Sequence, residues 1–121
     1  MLVSLAMSAQ ITSVTQIDKK VRQYDAVFFE VALTGEWENP YLQEEAALDM
    51  ILTSPSGKEL VLPCFYKDGE SGSESTWEAR FTPQEKGKYS YFFRYSEDGE
   101  VASESEPASF RARRGKGQGI L

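Results

Sequence analysis

The stretch Trp77–Tyr95, WEARFTPQEKGKYSYFFRY, decides the fold. In its first part Trp77, Ala79 and Phe81 alternate with Glu78 and Arg80; in its second Tyr89, Tyr91, Phe93 and Tyr95 alternate with Ser90, Phe92, Arg94 and Ser96. A hydrophobic period of two on both sides predicts a strand on both sides. Between them Pro83 cannot donate to a ladder and stops the first strand, and Gly87 supplies the permissive backbone from which the second starts. A tyrosine shortly after that glycine, Tyr89, suits a tyrosine corner, in which the phenol ties back to upstream backbone; such corners occur in immunoglobulin-like sandwiches.

The same period extends outward along the chain. Val27, Phe29, Val31 and Leu33 alternate with Ala26, Phe28, Glu30 and Ala32, and Ile11, Val14 and Ile17 mark an earlier strand before a polar turn around Asp18–Lys20. Ala46–Thr53 places Leu48, Met50 and Leu52 inward and Asp49 outward. Ser54-Pro55-Ser56-Gly57 has hairpin chemistry and returns the chain as one strand, Leu60–Tyr66, followed by a polar loop, Lys67–Ser75. Asp98-Gly99 is a second hairpin signal; Pro107 interrupts the return, and Ala108–Ala112 with Phe110 inward makes the last strand. The expectation is an all-β, immunoglobulin-like antiparallel β-sandwich of about seven strands with no helix. Phe28, Phe92 and Ile51 fall on outward positions and are the candidates for contact with a neighbouring domain.

With 121 residues the chain can bury one core. It has no histidine and one cysteine, which removes an internal disulfide, most zinc sites and every triad with a histidine base. Cys64, in an apolar run, reads as a small buried hydrophobe. The formal net charge is −6, while Arg111, Arg113, Arg114 and Lys116 gather at the C-terminal end. The body is therefore acidic, which argues against nucleic acid and anionic membranes as partners, and the basic end reads as a solvated tail. Residues 1–9, MLVSLAMSA, are too short to span a bilayer and resemble the surviving end of a signal peptide, so export to the periplasm or the medium is expected. Residues 10–112 form the sandwich, and the Gly-rich residues 113–121 read as a linker toward a missing downstream domain.

In order and spacing, Asn39-Pro40-Tyr41, Thr53-Ser54-Pro55-Ser56-Gly57-Lys58, Pro63-Cys64-Phe65-Tyr66, Trp77-Glu78-Ala79-Arg80-Phe81-Thr82-Pro83 and Gly87-Lys88-Tyr89-Ser90-Tyr91 resemble a known family. It is the N-terminal immunoglobulin-like domain of unknown function found ahead of the catalytic barrel in predicted bacterial glycoside hydrolases, apiosidase-like ones among them. The resemblance covers Ile11 to about Arg111. It departs from the family at Cys64, where glycine is common, and no barrel lies within the 121 residues. The resemblance implies a non-catalytic accessory module without cofactor, whose partner is a downstream glycoside hydrolase domain in the same polypeptide.

Three kinds of site can be weighed against that reading. Glycoside hydrolysis needs two carboxylates about 5 to 10 Å apart across a sugar; Glu30, Asp49 and Glu78 lie on outward strand positions and Glu36, Glu38, Glu44 and Glu45 in a loop, so no catalytic pair is expected. Asp68, Glu70 and Glu74 offer oxygen ligands without the spacing of a calcium loop, so no metal is expected either. Loop aromatics are better placed for a polysaccharide: Trp37, Tyr41 and Tyr66 can stack on sugar faces, with Asn39 and Asp68 as polar partners. A free-standing domain that captures a protein along an open edge strand is the alternative.

Overall fold

The computed structural model describes residues 9–18, 20–42, 46–70 and 72–115; most of the signal-peptide-like segment, Glu44, Glu45 and the end of the linker lie outside them. Among the described residues there are ten strands: β1 (Gln10–Gln16), β2 (Val21–Arg22), β3 (Val27–Thr34), β4 (Ala46–Thr53), β5 (Glu59–Pro63), β6 (Phe65–Gly69), β7 (Glu74–Phe81), β8 (Gly87–Glu97), β9 (Glu100–Glu104) and β10 (Ala108–Arg113). They form two sheets. One has the order β1-β3-β7-β6; the other runs β2-β10-β8-β4-β5, with β9 also on β8. All pairings are antiparallel except β2 with β10.

The inner faces are those the alternation marks. Val27, Phe29, Val31 and Leu33 of β3, Trp77, Ala79 and Phe81 of β7, and Tyr89, Tyr91, Phe93 and Tyr95 of β8 are all buried. Phe29 meets Tyr91 at 5.0 Å between ring centroids, and Tyr89 stacks on Phe110 at 5.2 Å with an interplanar angle of 15°. The corner forms as the spacing predicts: the backbone N–H of Glu85 donates to the Tyr89 hydroxyl at 3.0 Å, and Gly87 has φ 131°. Both hairpins form too. Gly57 (φ 92°) follows a turn in which Ser54 bonds Lys58 at both N–H groups, and Asp98 and Gly99 take φ 51° and 84°, the two positive values a primed turn needs.

The extra strands have identifiable causes. Val21–Arg22 pairs in parallel with the end of β10, and Gln23 extends the contact by donating its N–H to the Arg113 carbonyl and accepting from Gly115 N–H. Arg113 is thus the last residue of β10, one residue beyond the expected sandwich boundary. The predicted strand Leu60–Tyr66 is two strands in two sheets: β5 pairs with β4 as far as Pro63 opposite Asp49, the chain crosses at Cys64, and β6 pairs with β7 from Phe65 opposite Glu78. Proline has no N–H to continue the first ladder. The Cys64 N–H instead reaches the Leu48 carbonyl at 2.8 Å. Part of the predicted loop, Lys67–Gly69, belongs to β6. On the opposite side of the sandwich, Ile11 N–H donates to Ser103 Oγ at 3.0 Å and ties β1 to β9.

Cys64 is buried, and burial first, then the Asp49 carboxylate, push its thiol above the ordinary value of 9.0. Below that value the thiol is neutral in folded and unfolded chains alike. Above it only the unfolded chain ionises, so stability present at lower pH is lost as pH rises. Cys64→Ala should flatten the loss of unfolding free energy between about pH 9 and about pH 11 relative to the parent, measured by denaturant titration. Tyr89→Ala should cost about 3–5 kcal/mol in the same measurement, and Tyr89→Phe, which deletes the bond to Glu85, about 1 kcal/mol. A Tyr89→Ala loss below about 1 kcal/mol would show that the corner does not brace the fold.

Candidate functional site

The crossing at Cys64 leaves one stretch of β4 uncovered. Beyond Asp49 the β5 ladder ends: Leu48 keeps the Cys64 N–H on its carbonyl, Ala46 gives its N–H to the Leu42 carbonyl, and β6 has already moved to the other sheet. The space between the two diverging edges is a cleft of about 300 Å³. It is lined by Pro40 and Tyr41, by Ala46–Leu48 of β4, by Cys64, Phe65 and Tyr66, and by Trp77; of these Cys64 and Trp77 are buried.

Three of the sugar-stacking candidates come together here. Tyr66 meets Tyr41 at 5.4 Å and 88°, Trp37 at 6.0 Å and 73°, and Trp77 at 5.6 Å and 79°, all edge-to-face, the arrangement favoured by the ring quadrupole. Trp37 also packs edge-on against Trp77 at 6.1 Å. The Tyr66 hydroxyl donates to the Gly69 carbonyl. Its phenol is raised above the usual tyrosine range, first by burial, then by Tyr41 and the carboxylates of Asp68 and Glu70, so it remains a neutral donor through neutral pH. Tyr41 is 73% exposed and is the ring a ligand would meet first.

The polar candidates behave differently from one another. Asn39 uses its side-chain oxygen on the Tyr41 N–H at 2.9 Å and its carbonyl on the Leu42 N–H, which makes it the residue that presents Tyr41. Asp68 is exposed on β6, and its negative charge contributes to the rise of the Tyr66 phenol. Phe65, 67% exposed, is a lining ring that the sequence reading does not mark as a site residue; it continues the outward phase of Val61 and Pro63. Among the described residues, no three acidic or cysteine side chains gather closely enough to hold a metal ion.

The candidates for domain contact are not on one surface. Phe28 lies on the outer face of the four-stranded sheet, half-buried, with the Arg80 guanidinium 5.8 Å from its ring centre. Phe92 lies on the outer face of the other sheet under Arg94 at 5.5 Å. Ile51, its cross-strand partner, is only 6% exposed, so the accessible apolar residue of that row is Val61, at 59%. One flat partner cannot cover both sets.

Charge is also arranged differently from the expectation of an acidic body with a basic tail. Arg111 and Arg113 are strand residues, with Arg111 opposite Lys88 and Arg113 opposite Arg22. Their strand neighbours Val21, Tyr89, Phe110 and Ala112 are buried, so all four cations project from the outer face. No ion pair among the described residues involves them; the ion pairs are Lys67–Glu30 and Arg94–Glu104, each 2.8 Å. Sequence spacing could not reveal this grouping, because it is made by register between three strands.

Comparison with known proteins places the chain. No curated protein matches it. Among solved structures, the fold is similar to part of the cycloalternan-forming enzyme of Listeria monocytogenes, solved in complex with a pentasaccharide substrate, with a TM-score of 0.64 and 19% identity over 80% of this chain. The same values hold for the protein lmo2446 of Listeria monocytogenes EGD-e, solved with glucose, magnesium and calcium. This chain spans 9% of the length of either. A part of the alkylpurine DNA glycosylase AlkC of Pseudomonas fluorescens, bound to DNA containing an abasic site analog, is similar at TM-score 0.56 and 11% identity, over 88% of this chain and 30% of that one. These likenesses are of fold. Family membership comes from the sequence itself: matched by the family profile over residues 20–96, the chain belongs to the family described as a domain of unknown function, DUF5060.

Proposed function

We propose that this domain is a non-catalytic accessory module of a glycoside hydrolase, an immunoglobulin-like sandwich that packs against or positions a catalytic domain in the same polypeptide. The observation that carries the reading is the coverage: a sandwich like this one makes up 9% of an enzyme solved with a pentasaccharide substrate. The sequence motifs shared with modules that precede hydrolase barrels point the same way. Export to the periplasm or the medium, where polysaccharide is met, belongs to the same proposal.

The acids support a non-catalytic role. Asp49 has its carboxyl raised by burial and opposed by Arg94, and Arg94 is its cross-strand partner, so its neighbour in the sheet is a base. Glu104 at the β1–β9 cleft is held by the Arg94 guanidinium at 2.8 Å. A glycosidase needs a protonated and an ionised carboxyl on opposite sides of one sugar, and neither acid is arranged that way.

A second reading, neutral glycan binding in the Tyr41–Tyr66 cleft, is favoured by one observation. Tyr41 is fixed by the Asn39 turn yet left 73% exposed over a cleft with aromatic walls. Ordered, exposed rings give contact area at low entropic cost.

Two measurements decide these readings. An immunoblot of the native host, grown on plant polysaccharide, should show the domain in a band several times the mass of this chain, in the extracellular or periplasmic fraction. A band at the mass of this chain alone overturns the accessory-module reading. Tyr41→Ala should weaken binding of a neutral oligosaccharide about tenfold while changing stability by no more than about 0.5 kcal/mol. Unchanged affinity removes the cleft as a sugar site.

A further inference from the structure

We infer that the cationic surface formed by Arg22, Lys88, Arg111 and Arg113 binds an acidic polysaccharide through its carboxylates. This rests on the accessory-module reading and names a ligand class for that module. Three adjacent strands carry the four residues. With neighbouring strands about 4.8 Å apart and alternate residues about 6.6 Å apart along a strand, their Cα atoms fall within a patch of roughly 7 by 10 Å. The pairs Arg113–Arg22 and Arg111–Lys88 sit directly opposite each other in register. Like charges directly opposite are destabilising, and no acid among the described residues pairs with any of the four. Glu85, at the same end, is turned to Ser56, accepting from its N–H at 3.1 Å and its hydroxyl at 2.8 Å. Lys20, which lines a hollow beside Arg111 and Arg113, adds a further cation.

The chemistry of the ligand follows from the donors. Three of the four are guanidinium groups, whose planar fork matches a carboxylate in a bidentate pair. A phosphate polymer fits less well. The far end of the sandwich carries Glu36, Glu74, Glu97, Asp98 and Glu100, and the formal charge of −6 is opposite to that of a nucleic-acid-binding domain. Of the rings near the patch, Phe110 and Tyr89 beneath it are buried, and Tyr24, two residues from Arg22, is 44% exposed; a single ring does not make the row on which successive bases stack. A polyuronate, with one carboxylate per sugar and no need to wrap the molecule, meets the patch without meeting the acidic end.

The test is titration of the 121-residue chain with polygalacturonate by calorimetry, with an uncharged polysaccharide and single-stranded DNA as comparators. Binding of polygalacturonate is expected, at least about tenfold weaker at about 500 mM than at about 20 mM NaCl. The double variant Arg22→Gln/Arg113→Gln should lose at least about tenfold in affinity, with an unfolding midpoint equal to or above the parent, because a like-charge pair is removed. Tyr41→Ala should leave this binding unchanged. Absence of polygalacturonate binding, equal binding of the uncharged polymer, or displacement by DNA at lower charge concentration each overturns the inference. None of these touches the accessory-module reading, which the native mass decides separately.

Discussion

Strand β8 imposes the constraint that the rest of the molecule obeys. Tyr89, Tyr91, Phe93 and Tyr95 project from one face, and each is at most 6% exposed. Burying four large aromatic side chains from a single strand requires a full opposing sheet, and β3 and β7 supply it with Phe29, Val31, Trp77 and Phe81. At about 25 cal/mol per Å² and 150–250 Å² for each ring, this row alone gives on the order of 15–25 kcal/mol of transfer free energy, set against the ordering of the chain. Strand β8, eleven residues long, is paired on one edge by β4 from Ser90 to Glu97 and on the other by β10 from Gly87 to Tyr91 and by β9 from Arg94 to Glu97. Pro107 stands in the gap between those last two, where no ladder donor is needed.

The candidate site is a by-product of how that constraint is met at the sandwich edge. A hairpin returning along β4 for its whole length would have covered Ala46–Leu48 and left β7 with an open edge. By crossing at Cys64 the chain serves both sheets with one segment and exposes a short piece of each edge. Tyr41 and Tyr66 line the resulting opening with Trp77, and Trp37 packs against Tyr66 and Trp77. The same neighbourhood is closely packed elsewhere: a Cβ at Gly35 would lie 2.5 Å from the Tyr95 hydroxyl and 2.8 Å from Glu97, so the loop carrying Trp37 must leave β3 through glycine.

The period-two pattern made the core legible, because burial on one face of a strand writes itself directly into residue order. Val27 to Leu33 and Tyr89 to Tyr95 could be assigned to a face without any tertiary information. The corner at Tyr89 and the turns at Gly57 and Asp98-Gly99 were legible for a related reason, since each needs a particular residue type at a fixed offset. The strand change at Cys64 was not. Leu60, Leu62, Cys64 and Tyr66 keep one phase across the crossing, and alternation reports the buried face of a strand without saying which sheet holds it. Ile51 lies on the outer face as the alternation places it, but Val61 and Phe92 flank it in register and leave it only 6% exposed. The cleft aromatics were visible as candidates, but their mutual contacts depend on two loops and two sheets meeting.

Net charge illustrates the same limit in electrostatic form. An overall value of −6 suggests a uniformly acidic surface, yet the two ends of the sandwich carry opposite signs. β8 alone, with eleven residues, separates them by about 35 Å at strand geometry. The Debye length at physiological ionic strength is about 8 Å, so the acidic end near Glu97 and the basic patch near Arg111 scarcely sense one another through solvent. A partner approaching either end meets a local field whose sign is fixed by strand register and by which residues the core turns outward. The composition of the chain therefore bounds its solubility and weighs against a polyanion that must wrap both ends, while a ligand held at one end meets only the local sign. The pairing of Arg113 with Arg22 and of Arg111 with Lys88 settles the sign at one of them.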